Sequence, residues 1–271
     1  MISVHSLSGG KTSSYMAAHY PADYNVFALV TINDPSCRPK DSGLVKRVSD
    51  KIKKDFIATA EDDQTLIVIF DLEQKIGKEI TWITGISFDD VVDKKGGFLP
   101  SKLRRFCTTE MKIRPIFEWW QKTFSEKIRM GIGYRYDEKE RALRFSVSFK
   151  GVVGKTTDGR NKWEELDWRI GWFPLIEDKI GHYTVYKWSQ LSGIKFPTDS
   201  NCIGCFHKDP QQLLKNWKDF PEKYQWFCDQ EKKGKGTWKE NISYEEIKKI
   251  GVQLDFFYGT GSGCQAGFCT D

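Results

Sequence analysis

The sequence predicts an α/β fold, in which a mainly parallel sheet is covered by helices on both faces. Two observations support this prediction. Short apolar segments alternate with amphipathic ones over residues 2–134. Several of the apolar segments also lack a regular polar alternation, which is typical of strands buried on both faces. The 271 residues suit one large α/β domain, or one such domain with an appendage.

The first half of the chain supplies these elements in alternation. Residues 2–7 are predicted to form a strand that runs directly into Gly9-Gly10. Residues 12–20 are predicted to form a helix that ends before Pro21. The remaining predicted strands are 25–33, 65–70, 79–85 and 127–134, and the remaining predicted helices are 41–55 and 108–124.

The second half of the chain differs from the first in composition and in its predicted elements. Residues 150–175 are rich in Gly and Trp and predict a hairpin-like or irregular insert, followed by a short helix over 184–192. Residues 231–241 predict an exposed loop, and the Gly-rich residues 258–271 suit neither helix nor strand. We therefore predict an α/β domain over 1–195 and a Cys-bearing C-terminal region over 196–271.

The composition limits the function classes. Hydrophobic residues make up 39% of the chain, which is enough for a substantial core. No apolar run approaches the roughly 18 residues of a membrane helix, so we expect no membrane partner and a cytoplasmic location. The net charge of +5 is compatible with a phosphorylated or nucleic-acid partner without requiring one.

Residues 5–14, HSLSGGKTSS, can be interpreted in three ways. A Walker A loop would use Lys11 and Thr12, with Asp71 after a Walker B strand, but His5 stands where that motif has its first glycine. A pyrophosphate-binding loop would hold an anion at a helix N-terminus, where unpaired N–H groups and the helix dipole attract negative charge. A plain strand-to-helix turn is the third interpretation.

Five segments, in order along the chain, resemble the PP-loop superfamily. Within it they resemble the phosphoadenosine-phosphosulfate (PAPS) reductase branch, which also holds the sulfur-transfer protein of DNA phosphorothioation. The first segment is SLSGGKTSSYM, residues 6–16. The others are LRRFCTTEMKIRPIFEW (103–119), RMGIGYRYDEKER (129–141), FPLIEDKIGHYTVYKWSQLSGI (173–194) and NCIGCFHKDP (201–210).

This resemblance implies an adenine-nucleotide alpha-hydrolase type of fold over residues 1–195, binding ATP or adenylyl sulfate with Mg. The implied nucleotide-binding residues are Ser8, Gly9, Gly10, Lys11, Thr12, Ser13, Asp34, Arg105, Lys112, Gly131, Gly133 and Arg135. The implied catalytic residues are Lys11, Arg141, Cys264 and Cys269.

Three activities agree with the resemblance. The favoured one adenylates an acceptor with pyrophosphate release, followed by sulfur transfer. The Lys- and Trp-rich residues 215–240 make nucleic acid a candidate acceptor, through phosphate contacts and stacking. The second is sulfonucleotide reduction by a tail thiol, Cys264 or Cys269. The third is a nucleotide- or nucleic-acid-binding module without catalysis. A sulfur-donor or reductant protein is a further candidate partner.

Cysteine spacing adds a metal prediction. Cys202-x-x-Cys205 can place two sulfurs on one metal, although a redox or structural pair has the same spacing. The resemblance implies a [4Fe–4S] cluster with Cys107, Cys202 and Cys205 as ligands. The fourth ligand would be Cys264 or Cys269, unless one iron stays open. A zinc site of Cys202, Cys205, Cys264 and Cys269 is the alternative, and we expect Cys37 and Cys228 to be ordinary cysteines.

The chain also departs from the family pattern. Thr12 stands where PP-loop proteins usually have Asp, which puts metal or phosphate handling, and turnover, in question. The second strand ends in Asn33-Asp34-Pro35 and not in Asp-Thr-Gly. The Glu-Cys-Gly-Leu-His tail of PAPS reductases is missing from the sequence, which counts against a strict PAPS reductase.

Overall fold

A computed structural model describes residues 1–198 and 201–250. Its main feature is a five-stranded sheet with the order β5-β2-β1-β6-β9, and all its neighbouring strands are parallel. The predicted α/β fold class is thereby confirmed. The strands in chain order are β1 Ser3–Leu7, β2 Tyr24–Leu29, β3 Thr31–Ile32, β4 Ala58–Thr59, β5 Ile80–Thr84, β6 Ile128–Gly131, β7 Ser148–Lys155, β8 Asn161–Asp167 and β9 Arg169–Trp172.

Helices connect and cover the strands. In chain order they are α1 Lys11–His19, α2 Ser42–Ile52, α3 Asp63–Ile76, α4 Phe88–Lys94, α5 Phe106–Thr108, α6 Arg114–Thr123, α7 Lys139–Ala142, α8 Pro174–Glu177, α9 His182–Leu191, α10 Pro210–Asp219, α11 Pro221–Lys233 and α12 Tyr244–Ile247. A π-helical stretch, Thr109–Ile113, joins α5 to α6. Within residues 1–198 and 201–250, none of the helices is both long enough and apolar enough to cross a bilayer.

The strand order creates a switch point beside β1. The chain leaves β1 toward β2 and β5, then returns to place β6 on the other side of β1. Connections therefore diverge at the carboxyl ends of β1 and β6. In open α/β sheets, ligands bind in the crevice that forms at such a point.

The predicted strand over 65–70 is wrong, because these residues lie within α3. The Asp62 side chain accepts a hydrogen bond from the Gln64 amide at the start of the helix, and Gly77, with φ 61°, ends it. A helix buried on most sides carries the same continuous apolar run as a buried strand. Asp71 consequently does not follow a strand, which removes the Walker B part of the Walker interpretation.

Other predictions differ in detail. The predicted strand 25–33 is divided, because Thr31–Ile32 turns away to pair antiparallel with β4. Most of the predicted insert is an antiparallel hairpin, β7–β8, with a register shift between Val152 and Gly154, and its last residues belong to β9 and α8. Within the predicted loop 231–241, Trp238 is buried, because its ring packs on Phe227 and its indole N–H donates to the Phe227 carbonyl.

The C-terminal region packs against the α/β domain. Residues on both sides of the predicted boundary at 195 share one apolar cluster. It joins Ala58, Ala60, Val91 and Met111 to Ile203, Leu213, Phe227, Trp238 and Tyr244, among others. The segment after residue 200 is thereby held against the end of β4, where the Ile203 amide donates to the Ala60 carbonyl.

Candidate functional site

The turn after β1 has a backbone that only glycine fits well. Gly9 has φ +71°, a left-handed conformation that disfavours residues with a Cβ atom. A Cβ atom on Gly9 would also lie 2.5 Å from Thr65 Cγ2 and 3.1 Å from the Thr65 carbonyl oxygen. Gly9 therefore lets the turn pass close over α3, and Gly10 is the N-cap of α1.

Side-chain hydroxyls close this turn. The Ser8 amide donates to Ser13 Oγ at 3.2 Å, and Ser13 Oγ donates to the Gly10 carbonyl at 3.1 Å. No side chain of the described residues caps the N-terminus of α1. The first-turn N–H groups of α1 are thus available to an external acceptor, and the helix dipole adds positive potential there.

An open cavity of about 170 Å³ lies against this turn, at the carboxyl ends of β1 and β6. We call it the loop cavity. It is lined by nine of the predicted residues: Ser8, Gly10, Lys11, Thr12, Ser13, Lys112, Gly133, Arg135 and Arg141. The switch point and most of the predicted phosphate-binding residues therefore coincide.

Three charged side chains from the 129–141 segment form one wall of the loop cavity. Arg135 and Arg141 both contact Glu138, at 3.3 and 3.0 Å. Arg135 Nη1 also donates to Thr12 Oγ1 at 3.3 Å, which links this wall to the turn. All three side chains are at most 10% exposed, so the carboxylate offsets part of the arginine charge.

The two predicted glycines of this segment act through packing. A Cβ atom on Gly133 would lie 3.1 Å from the Ser13 Cα atom and amide nitrogen, so Gly133 permits the close approach of this wall to α1. Gly131 faces the His5 ring, which a Cβ atom would approach within 2.3 Å. Gly131 does not line the loop cavity.

Three other predicted nucleotide-binding residues also lie off the loop cavity. Gly9 faces Thr65, as described above. Asp34 accepts hydrogen bonds from the amide and hydroxyl of Ser36 in the turn after β3. Arg105 lines a second cavity. Asp34 therefore stabilises a local turn, and Arg105 lies at the second cavity and not at the loop cavity.

Some lining residues of the loop cavity were missed from the sequence. They are Arg169, His182, Tyr186, Asn201, Thr108 and Glu138, among others. Glu138 could have been found, because it belongs to the matched Asp-Glu segment. No sequence motif marks Arg169, because only the pairing of β9 with β6 brings its side chain to the cavity. There its Nε donates to the Ser146 carbonyl.

A second cavity, of about 50 Å³, is lined by Cys107, Cys202 and Cys205. We call it the cysteine cavity. Thr108, Lys112 and Asn201 line both cavities, so the two share a wall. The structure thus brings together the three predicted metal ligands that lie in the described residues, from segments almost a hundred positions apart.

Two of the three thiols of this cavity, those of Cys107 and Cys202, are held neutral by their surroundings. Burial raises the pKa of Cys107 to about 11, and the neighbouring Cys205 adds to the effect. Burial also raises the pKa of Cys202 well above its usual value. Glu61 raises it further, whereas Lys112 acts in the opposite direction. Ionisation of these thiols would therefore require a compensating positive charge.

A buried ion pair stands beside the thiols. Lys112 Nζ lies 3.0 Å from Glu61 Oε1, and the Glu61 side chain is fully buried. Burial by itself lowers the pKa of Lys112, but Glu61 raises it above the usual range for lysine. Lys112 therefore keeps its charge on the wall between the two cavities.

The donor set suits a thiolate-bound group in part. Three thiols converge, and the cations of Lys112 and Arg105 line the same cavity and would offset thiolate charge. Within the described ranges, however, no three His, Cys, Asp or Glu side chains are arranged to hold a single metal ion. Cys264 and Cys269, the predicted fourth ligands and tail thiols, lie outside the described residues.

The two remaining cysteines line neither cavity. Cys37 is buried in the core, where its thiol donates to the Glu222 carbonyl at 3.5 Å, and burial raises its pKa to about 11. Cys228 is fully buried, and burial raises its pKa to about 12. Both therefore behave as ordinary core cysteines.

Comparison with known proteins adds little to this picture. No protein-family model and no curated protein matches the chain. Among solved structures, the chain is similar to a crystal structure of phosphoadenylyl-sulfate (PAPS) reductase from Candida auris in a phosphate complex. The identity is 10%, the match covers 72% of this chain and 75% of that chain, and the TM-score is 0.38.

Proposed function

We propose that the chain is a PP-loop enzyme that binds ATP in the loop cavity and adenylates an acceptor for sulfur transfer. One observation carries this proposal: the loop cavity and the cysteine cavity share a wall of Thr108, Lys112 and Asn201. A nucleotide bound by its phosphates at the turn would therefore react within reach of the sulfur-bearing cavity.

The turn would hold the β and γ phosphates. The first-turn N–H groups of α1 supply donors, and Lys11 supplies a positive charge at the helix start. Arg135 and Arg141 stand across the cavity, where they could stabilise negative charge that develops on the leaving pyrophosphate. Such fixed donors and cations lower the barrier because they need no reorganisation during the reaction.

The proposed reaction has two steps. An acceptor oxygen attacks the α-phosphorus, a new O–P bond forms, and the bond from the α-phosphorus to the bridging oxygen breaks. Pyrophosphate leaves with that electron pair, and the acceptor proton passes to solvent. A sulfur nucleophile at the oxidation level of hydrosulfide then attacks the acceptor carbon and expels AMP, so the second step needs no reductant.

A [4Fe–4S] cluster, when bound, would supply a site from which such sulfur is delivered. Cys107, Cys202 and Cys205 would hold it. Lys112 would contribute a fixed positive charge, because Glu61 keeps its ammonium at the shared wall. The same cation would favour a negatively charged sulfur nucleophile over a neutral thiol.

Sulfonucleotide reduction is the second candidate. It is favoured by the cationic lining of the loop cavity, where Arg135, Arg141, Arg169 and Lys112 would accept a sulfate group as readily as a phosphate. In this reaction a tail thiol attacks the sulfur of adenylyl sulfate, the bond from that sulfur to the bridging oxygen breaks, and the nucleotide leaves with the electron pair. A second thiol from a dithiol reductant then attacks the thiol sulfur of the S-sulfonate, forms a disulfide and releases sulfite. A nucleotide-binding module without catalysis is the third, since Thr12 replaces the usual Asp.

Product analysis separates these candidates. The purified protein is incubated anaerobically with Mg and ATP in the presence of cellular nucleic acid, or with PAPS and a dithiol. Pyrophosphate from ATP supports adenylation, and sulfite from PAPS supports reduction instead. Binding of ATP without either product supports the non-catalytic module and contradicts the proposed enzyme.

A matched pair of variants tests the site itself. Arg141→Gln removes a cation from the loop cavity, and Arg144→Gln removes an exposed one three residues later. We expect turnover to fall by about 100-fold or more in Arg141→Gln, the size of effect seen when one transition-state donor is lost. Equal rates in the two variants would contradict the assignment.

Metal content tests the cysteine cavity. We expect anaerobically purified protein to contain iron and sulfide and to absorb broadly near ~400 nm. Cys205→Ser should lose this absorbance, whereas Cys228→Ser, at a buried cysteine away from the cavity, should retain it. Colourless protein with stoichiometric zinc would contradict the cluster and leave the nucleotide proposal intact.

A further inference from the structure

We infer that five cations beside the cysteine cavity form a docking surface for single-stranded nucleic acid. They are Lys102, Arg104, Arg105, Lys235 and Lys239, and we call them the cationic rim. This inference rests on the proposed function, because it assigns the acceptor of the adenylation step to a chemical class.

A tight turn presents the first three cations. The Ser101 amide donates to the Arg104 carbonyl at 3.2 Å, and the Arg104 amide donates back to the Ser101 carbonyl at 3.1 Å. Lys102 is therefore held exposed at the tip of this turn, and Arg105 enters the lining of the cysteine cavity. Arg105 Nε is buried and has no hydrogen-bond partner among the described residues.

An aromatic ring brings Arg104 and Lys235 together. Arg104 Cζ lies 5.1 Å from the Phe98 ring centre, and Lys235 Nζ lies 5.5 Å from it. The Lys235 amide donates to the Gly97 carbonyl at 2.6 Å, which fixes the two chain segments side by side. The electron-rich ring face offsets part of the repulsion between the two cations.

Lys239 completes the rim on the side of His207. Its ammonium donates to the carbonyls of Phe206 and Lys208, at 3.1 and 2.8 Å. Phe206 and the adjacent His207 both line the cysteine cavity, as Arg105 does. The contact with the Phe206 carbonyl therefore holds Lys239 at the edge of the same cavity.

The rim is not neutralised from within. In the parts of the chain that the structure covers, none of the five cations has a carboxylate within ion-pair distance. By contrast, the nearby Lys95 pairs with Glu110 at 3.1 Å. A cluster of like charges raises the local concentration of polyanions and disfavours other cations.

Nucleic acid fits this surface better than an acidic protein does. Each nucleotide carries one phosphate, so a strand can place a row of negative charges on the rim. A single strand can also extend one unstacked base away from its backbone, into the junction between the two cavities. Carboxylates on a folded acidic protein would match the charge, but they would bring no comparable reactive group to that junction.

Fluorescence anisotropy with a labelled single-stranded RNA 20-mer of mixed sequence tests this inference on the full chain. The triple variant Lys102→Gln, Arg104→Gln, Lys235→Gln removes three rim cations. Its control is the triple variant Lys46→Gln, Lys53→Gln, Lys122→Gln, which changes the net charge equally at exposed lysines on or next to α2 and α6.

We expect the rim variant to bind about 10- to 100-fold more weakly near 0.1 M salt, with the control close to wild type. The slope of log K against log salt should become shallower by about 2, because each phosphate contact on a single strand contributes about 0.7. Equal loss in both variants, or unchanged RNA binding in the rim variant, would overturn the inference.

The RNA-binding measurement tests the cationic rim independently of the proposed adenylation. RNA binding is measured without nucleotide, so it does not depend on ATP binding at the turn. Loss of RNA binding only in the rim variant, in a protein that releases no pyrophosphate from ATP, would support the rim and contradict the adenylation. Pyrophosphate release from ATP, together with equal RNA binding by wild type and the rim variant, would support the adenylation and contradict the rim.

Discussion

The loop cavity and the cysteine cavity share a wall but are built in opposite ways. One side of the loop cavity comes from a single continuous stretch, Ser8–Ser13, whose backbone shape depends on Gly9. The cysteine cavity depends on side chains from three distant segments, around Glu61, Cys107 and Cys202. The first is therefore sensitive to backbone conformation and the second to buried charge.

The two cavities also differ in how their charged groups are placed. In the loop cavity, Glu138 offsets Arg135 and Arg141 next to an open volume that a charged ligand can enter. Beside the cysteine cavity, the fully buried Glu61 carboxylate pairs with Lys112, and burial raises the pKa of the Cys107 and Cys202 thiols so that they stay neutral. Removing one charge should therefore cost more stability at the second cavity than at the first.

The largest expected effect follows from that ion pair. Glu61→Gln leaves the Lys112 ammonium without its carboxylate, which should lower the free energy of unfolding by about 3–5 kcal/mol. Urea unfolding followed by circular dichroism measures this change. The double variant Glu61→Gln, Lys112→Met should recover part of the loss, because no uncompensated charge remains buried.

Asp167→Asn is the matched control. Asp167 pairs with Lys127 at 3.4 Å, but both side chains are at least half exposed. Such surface pairs contribute about 0–1 kcal/mol. If Glu61→Gln changed stability no more than Asp167→Asn, the account of the cysteine cavity as dependent on buried charge would be wrong.

The second effect is a pH dependence at the strand that leads into the turn. Burial lowers the pKa of His5 to about 4, below its usual 6.5. The unfolded chain therefore binds the proton more tightly, and stability falls as the pH drops from about 6.5 toward 4. The loss should reach about 3 kcal/mol for this group.

Urea unfolding at several pH values, for wild type and His5→Phe, isolates this contribution. The aromatic replacement keeps a ring against Trp172, whose centre lies 5.2 Å from the His5 ring, but it cannot take up a proton. His5→Phe should flatten the stability curve between pH 4 and 6.5. An identical curve in the two proteins would show that His5 is not held neutral.

The third effect tests the backbone of the turn. Gly9→Ala adds a Cβ atom in a left-handed conformation and against Thr65, whereas Gly77→Ala adds one in a similar conformation with nothing within 4 Å. Left-handed strain should cost about 1–2 kcal/mol in both variants. The contact with Thr65 should cost Gly9→Ala a further roughly 1–3 kcal/mol.

A second substitution sharpens this comparison. Thr65→Ser removes the Cγ2 atom that the new Cβ atom would meet at 2.5 Å. The double variant Gly9→Ala, Thr65→Ser should therefore regain part of the lost stability and of the ATP affinity. No recovery, together with equal losses in Gly9→Ala and Gly77→Ala, would mean that the close approach to α3 does not shape the turn.

The smallest effect concerns the link between the turn and its facing wall. Thr12→Val removes the acceptor of the Arg135 Nη1 hydrogen bond, which should weaken ATP binding by about 1 kcal/mol, or roughly fivefold. Thr123→Val, at an exposed threonine on α6, is the control. Tighter ATP binding in Thr12→Val would indicate that Arg135 is better placed when it is released.

Most residues of the turn beside the loop cavity could be grouped from the sequence because the turn is local. A strand, two glycines and a helix start follow each other directly in Ser3–His19, and chain connectivity alone brings them together. The 129–141 segment was found through its motif, and its contact with Thr12 follows from β6 lying beside β1. The convergence of Cys107 with Cys202 and Cys205 was found through the family resemblance.

Other features depended on long-range packing that no local pattern encodes. Glu61 and Lys112 lie 51 positions apart and meet only after the chain is folded. Residues 65–70 are a different case, because their apolar run alone predicts a strand, whereas Asp62 and Gly77 are local capping signals that mark α3. The burial of Trp238 in a Lys- and Gly-rich segment likewise depends on Phe227 and Phe88 from other elements.

The central claim is that the turn between β1 and α1 binds the phosphates of a nucleotide. Calorimetric titration with ATP and with pyrophosphate tests it most directly, on wild type, Lys11→Ala and the exposed-helix control Lys46→Ala. We expect both ligands to bind wild type and Lys46→Ala equally and to bind Lys11→Ala at least about tenfold more weakly. Unchanged affinity of Lys11→Ala for both ligands would contradict the claim.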